Sequence, residues 1–267
     1  MIKSVLNKWK QYKYRFVPWI AFNLKDRSVR EVPKGADDAI ISNKAVANFL
    51  QCFFKSLHEK ETSPIKDRHT IFKENLDIMM KQLGFVTERQ CSLLENGGRG
   101  VFVTRGTVPA KTIVSMYPGA VYEQYEPIFF QSLGNSFIFR CIDGVLIDGN
   151  DKNLSKLIYK SCQGRDRMGP FLSCDSSWLT ESPHNPLAVG QYVNNQSAKY
   201  PANVAYQEFD IPSDFPFQLL KYIPNVHYGA STDSITHDRL MRVVVLVSTR
   251  DIQCGEELFS TYFTVVQ

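Results

Sequence analysis

After Gly84 the apolar residues of this chain stop recurring at helical spacing. Val101, Val103, Ile113, Val114, Met116 and Tyr117 fall instead in short runs separated by glycine and proline. This change of texture constrains the fold most, because many short strands joined by turn residues describe a β-rich domain. Residues 137–141 and 145–147 flank Asp143-Gly144, a dipeptide suited to a hairpin turn. Residues 204–206 and Met241–Ser248 read as further strands. The unbroken run Val243-Val244-Val245-Leu246-Val247 within the second reads as a buried strand.

The residues before Gly84 follow a different period. Val46, Phe49, Leu50, Phe53, Phe54 and Leu57 share one broad face of a helix over 43–57. A second helix is expected over about 69–82, with Gly84 as its stop. Residues 26–45 and 58–67 read as connections. The expectation is an α+β chain: a mainly helical region over 1–90, then a β-rich domain over 91–267. Insertions at about 150–189 and 211–239 are too long for plain loops, and 154–161 reads as a short helix.

Residues 1–25 contain Lys3, Lys8, Lys10, Lys13, Arg15 and Lys25 and no acid. Three readings stay open for them. They can form a helix packed on the body with its lysines in water, a targeting segment of mitochondrial type, or a basic surface that touches membrane or nucleic acid. The whole chain of 267 residues carries a net charge of +4, too little to commit it to nucleic acid. No apolar run reaches the roughly 18 residues of a membrane span. The 6 cysteines form no Cys-x-x-Cys pair and read as reduced thiols. The protein is therefore expected to be intracellular, in nucleus or cytoplasm, unless the basic segment directs it to mitochondria. Cys162, Cys174 and His184 match no common zinc spacing, so no metal site is expected.

Three segments carry candidate chemistry. Gly98-Arg99-Gly100 lets the backbone approach a ligand closely, and successive N–H groups in such a turn can face a carboxylate. It has neither the third glycine of a dinucleotide fingerprint nor the Gly-Lys-Ser/Thr of a phosphate loop. Gly190-Gln191-Tyr192-Val193-Asn194-Asn195-Gln196-Ser197 offers amides that donate and accept at once. Asp251-Ile252-Gln253-Cys254-Gly255-Glu256-Glu257-Leu258-Phe259-Ser260-Thr261-Tyr262 ends on a phenol, with an apolar ring and a polar tip. Glu256 and Glu257 read as a structural turn before a strand.

In this order the three segments resemble a SET domain, the fold of protein-lysine methyltransferases that use S-adenosyl-L-methionine. The resemblance covers roughly residues 95–265. It implies short strands in small sheets with a knotted-looking C-terminal segment. It implies a cofactor site at Gly98, Arg99, Gly100, Tyr192, Asn194, Asn195 and Tyr262. Tyr262 is the implied catalytic phenol. Tyr117, in Tyr117-Pro118-Gly119, matches the family's Tyr-x-Gly and is the implied wall of a lysine channel. The implied partner is a protein or peptide carrying a lysine, with no structural zinc. The sequence departs from the family's pattern at Asn195, where relatives have histidine. It departs again at Ser260, where many have Phe or Tyr governing how many methyls are added. The chain ends at Gln267 without the cysteine-rich segment many relatives carry, which leaves closure of the channel to Phe263, the insertions, the N-terminal region or the substrate. A catalytically weak module that binds cofactor or peptide, and a basic adaptor acting through residues 1–25, are the alternatives.

Overall fold

The computed structural model describes residues 30–32, 39–61, 67–167, 169–230, 240–261 and 264–266. Ser42 opens helix α1 (Asn43–Lys60), its hydroxyl accepting from the Ala45 N–H at 3.2 Å. That satisfies one of the donors a helix start leaves over. Val46, Leu50, Phe53, Phe54 and Leu57 are buried, so the predicted apolar face is the face that packs. Asp67 caps α2 (Arg68–Leu83) by accepting from the N–H groups of His69 and Thr70 at 2.9 and 3.1 Å. Gly84 stops that helix at φ +80°, a left-handed conformation open to glycine.

From Gly84 the chain turns directly into β2 (Phe85–Cys91), antiparallel to β3 (Arg99–Gly106). The last residues of the stretch read as mainly helical are thus strand. Only Phe85, Val86 and Thr87 of β2 are buried, so its sequence carries half of a strand pattern. Gly106 closes this pair at φ +72°, where a Cβ would stand 2.0 Å from the Gly84 carbonyl oxygen.

The main sheet contains β4 (Ile113–Tyr117), β8 (Asn194–Asn195), β9 (Val204–Ile211), β11 (Met241–Ser248) and β12 (Phe259–Ser260). Its order is β4-β11-β9-β12-β8. β11 lies antiparallel to both β4 and β9, and residues 243–247 of this central strand are buried as their sequence predicted. A second sheet has the order β10-β5-β7-β6, from β5 (Gly119–Tyr122), β6 (Ile138–Arg140), β7 (Leu146–Asp148) and β10 (Asn225–His227). β6 and β7 are the hairpin expected around Asp143-Gly144. A single-turn helix, α3 (Phe129–Ser132), precedes it.

The first insertion holds α4 (Asn153–Arg165) and the 3-10 turn Ser177–Leu179, and the second supplies β10, which joins β5 in parallel. β1 (Arg30–Val32) pairs in parallel with β13 (Thr264–Val266), so part of a stretch read as loop is strand. Its partner stands at the other end of the chain, where no local pattern could announce it. Ile252 and Glu257 form single bridges to Val108 and Phe102, and β12 then slides between β8 and β9. The C-terminal run is thus threaded among strands built from earlier segments, and helices precede the small sheets, in agreement with the fold class expected. The readings for residues 1–25 lie outside the described residues.

Gly106 and Gly134 share a positive φ, +72° and +63°, but a Cβ at Gly134 would meet nothing within 4 Å. Gly134→Ala should therefore cost only about 1 kcal/mol. Gly106→Ala adds a clash with backbone and should cost about 3 kcal/mol or more. Urea unfolding of both variants measures the difference.

Candidate functional site

Gly98, Arg99, Tyr117, Tyr192 and Asn194 line one hollow of about 520 Å³. Gly98 precedes β3 and Arg99 opens it, the end of β4 brings Tyr117, and the 3-10 turn Gly190–Tyr192 running into β8 brings the others. The volume falls within the range of small-molecule sites.

Glu257 organises one side. It is 2 % exposed. Its Oε1 accepts from Ser92 Oγ at 2.7 Å and from Asn194 Nδ2 at 3.1 Å, and its Oε2 accepts from the Leu93 N–H at 2.7 Å. Asn194 Nδ2 also donates to the Arg99 carbonyl at 3.0 Å. The NH₂ group of Asn194 is thereby spent on the fold, and Oδ1 is the atom it can offer a ligand. Gly100 does not line the hollow; a Cβ there would stand 2.0 Å from Glu257 Oε1. The second glycine of the turn makes room for this carboxylate. Glu256 turns outward to Arg250 at 2.6 Å, so the two adjacent acids have separate tasks.

Aromatic side chains form another wall. Tyr117 is buried and donates its hydroxyl to the Phe137 carbonyl at 2.7 Å. Its ring centroid lies 5.3 Å from Phe139 and 6.3 Å from Tyr206. Tyr206 lines the hollow and accepts from Ser260 Oγ at 3.1 Å. The small Ser260 is therefore met by a tyrosine from β9.

The rim carries charge. Arg99 Nη1 and Glu181 Oε2 stand 2.5 Å apart, and Arg89 Nη2 approaches the same carboxylate at 3.8 Å. The hydrogen bond from Arg99 holds Glu181 below the usual carboxylate range. Arg89 stacks over the Tyr192 ring at 5.2 Å, and the Tyr192 hydroxyl donates to Asp151 Oδ2 at 2.6 Å. Burial, and then that bond to Asp151, pushes the Tyr192 phenol up to about 12.

Like Gly100, Asn195 stands away from the hollow. It pairs in register with Ser260 across β8 and β12. Tyr262 lies outside the described residues. The sequence reading passed over Phe137, Glu181, Tyr206 and Gln191, all of which line the hollow. Gln191 sits inside a motif already singled out, and Tyr206 inside an expected strand, so their period and position were legible while their direction was not. A larger and more open hollow, about 670 Å³, lies between Asn43, Asp143, Glu208 and Arg242 and shares no expected residue. Ligand atoms of Cys141, Asp143 and Glu208 come within 4.8 Å of one another. The Arg242 guanidinium already bonds both carboxylates, at 3.0 and 2.9 Å. Cys162, Cys174 and His184 form no such group among the described residues.

No protein-family model matches the chain. It is 49% identical over 300 residues to human SET domain-containing protein 9, covering 100% of this chain and 98% of that protein. It is 57% identical over 205 residues to SET domain-containing protein 9 of Pongo abelii, covering 76% of this chain and 73% of that one. The chain belongs to the SET domain-containing protein 9 family. Among solved structures it is similar to CpSET8 from Cryptosporidium, with TM-score 0.36 and 15% identity over 97% of this chain and 91% of that chain. It is also similar to ctPRC2 in an autoinhibited conformation bound to S-adenosylmethionine, with TM-score 0.36 and 13% identity over 73% of this chain and 18% of that chain.

The Glu257 cluster is testable. Glu257→Gln keeps the shape but turns one acceptor into a donor facing either the Leu93 N–H or the Asn194 NH₂. Unfolding in urea should show a loss of about 2 kcal/mol. Glu256→Gln, on the exposed side, should cost less than about 1 kcal/mol.

Proposed function

We propose that this chain transfers a methyl group from S-adenosylmethionine to the side-chain amine of a lysine in a protein substrate. The observation that carries the reading is the convergence of Gly98, Arg99, Tyr117, Tyr192 and Asn194 on one hollow, in a chain of this family. The residues fit the cofactor. Tyr117, Phe137, Tyr192 and Tyr206 offer aromatic surface, while Arg99, Glu181, Asp151 and Lys152 offer both signs of charge. A ligand with a flat base at one end and an ammonium and carboxylate at the other asks for both kinds of wall. When bound, it supplies an electrophilic methyl on a sulfonium.

The rest falls to the chain's own residues. Arg99 and the Gly98 backbone would hold the charged end, with Asn194 Oδ1 accepting beside them. Tyr117 has its hydroxyl committed to the Phe137 carbonyl, so its ring acts as a wall that excludes water. Tyr206 narrows the same side from β9. The lysine amine must be neutral to attack, though its ordinary pKa is about 10.4. Burial between such rings, beside a cation, lowers that value. Orientation of two reactants in a dry channel then accounts for much of the catalysis. By family resemblance Tyr262 is the phenol that orients the amine.

A second reading is a module that binds cofactor or peptide without useful turnover. It draws on the committed NH₂ group of Asn194 and on the departures at Asn195 and Ser260. Methyl-labelled S-adenosylmethionine incubated with the protein and a cell extract separates the two. The transferase reading expects labelled protein, with Tyr262→Phe about 100-fold slower. Cofactor affinity by calorimetry should stay within about threefold in that variant. Saturable binding with no labelled product favours the second reading, and absence of binding by folded protein sinks both.

A further inference from the structure

Gln191 lines the hollow and is 4 % exposed. Neither Oε1 nor Nε2 of its side chain has a hydrogen-bond partner among the described residues. Its place is fixed by its neighbours. Gly190 lies so close to β4 that a Cβ would stand 2.6 Å from the Met116 carbonyl oxygen. The Val193 N–H donates back to the Gly190 carbonyl at 3.2 Å, and Tyr192 is tied to Asp151 at 2.6 Å. The backbone on both sides of the glutamine is therefore held. A buried amide with donor and acceptor both unused is costly. A thioether or aliphatic chain of similar size would occupy the same space without that cost. Four other polar groups at the hollow are engaged: Arg99 with Glu181, the Tyr192 hydroxyl with Asp151, the Tyr117 hydroxyl with Phe137, and the Asn194 NH₂ with Glu257.

We propose that the Gln191 amide binds the ligand of this hollow, Oε1 accepting from and Nε2 donating to a ligand group that carries a donor and an acceptor side by side. The inference rests on the methyl-donor reading and adds a residue that decides which ligand the hollow takes. Both ends of S-adenosylmethionine offer such a pair. One is the adenine amino group beside a ring nitrogen, and the other is the ammonium beside the carboxylate. A lysine ammonium only donates and would leave Nε2 unused. A site built around such a pair discriminates strongly against ligands lacking it, because its own polar atoms then stay unpaired.

Gln191→Met keeps the length and removes both polar atoms, and Gln191→Leu does so with a different shape. Each full-length variant is melted without ligand and titrated calorimetrically with S-adenosylmethionine. The expected result is a melting temperature about 2–4 °C above that of the parent. It is accompanied by cofactor binding at least about tenfold weaker. Methylthioadenosine, which keeps the adenine and lacks the amino-acid end, identifies the source. An equal loss assigns the adenine edge, and no loss assigns the ammonium and carboxylate. If both variants melt below the parent, the amide is structural and the proposal falls. Unchanged cofactor affinity also overturns it while leaving the methyl-donor reading standing. Binding by neither parent nor variants removes both.

Discussion

Glu257 ties the walls of the hollow together from the far end of the chain. Its carboxylate holds Leu93, 164 positions away, and Asn194, 63 positions away. Its own carbonyl accepts from Asn203 Nδ2 at 2.9 Å, and Asn203 Oδ1 accepts from the Phe259 N–H at 2.8 Å. The strand β12, which separates β8 from β9, is thus anchored through the main chain of the residue whose carboxylate orients Asn194. Contacts of such sequence separation require loop-closure entropy before they return any stabilisation. The hollow therefore depends on the C-terminal run, whose β12 is itself part of the main sheet. Gly100 belongs to this constraint, since only a residue without a Cβ lets the carboxylate approach.

The charges at the rim obey a different logic. Arg89 has a side chain 6% exposed, whereas the Glu181 side chain is 74% exposed. The first is a fixed cation, clamped between the Thr180 carbonyl at 2.9 Å and the Tyr192 ring. The second is an acid in water that can leave its arginines at little cost, because exposed ion pairs contribute little to stability. Their value lies in the local field they present to a charged ligand. Tyr192 links rim and wall. Its ring carries Arg89 on one side and meets Phe137 at 6.2 Å on another, while its hydroxyl faces Asp151.

Legibility in the sequence followed the range of the forces involved. The helices α1 and α2, the hairpin at Asp143-Gly144 and the buried strand β11 are dictated by period and turn chemistry within a few residues, and all were readable. β2 was missed because its outer half is polar and its partner begins only at Arg99. β1 was missed because its partner is β13. At the hollow, the glycine turn and the asparagine could be singled out by residue type. The direction of Gln191, and the carboxylate that Gly100 admits, depend on segments that meet only in the folded chain. Glu257 was read as a structural turn residue. It is structural, but its task is to hold the walls of the hollow.

The pair Ser260 and Tyr206 shows why one position cannot be read alone. Read alone, a serine at 260 suggests open space beside it. The side chain is fully buried, however, and its hydroxyl donates to the Tyr206 hydroxyl at 3.1 Å. Tyr206 in turn packs against Phe139 at 5.0 Å and Tyr117 at 6.3 Å. Protein interiors conserve filled volume more strictly than they conserve the strand that supplies it. A bulky side chain at 260 would collide with the tyrosine already there, and a small one at 206 would leave a void beside Ser260. The width of the hollow on this side is therefore a joint property of β12 and β9, and the small residue at 260 is the space into which the hydroxyl of Tyr206 fits.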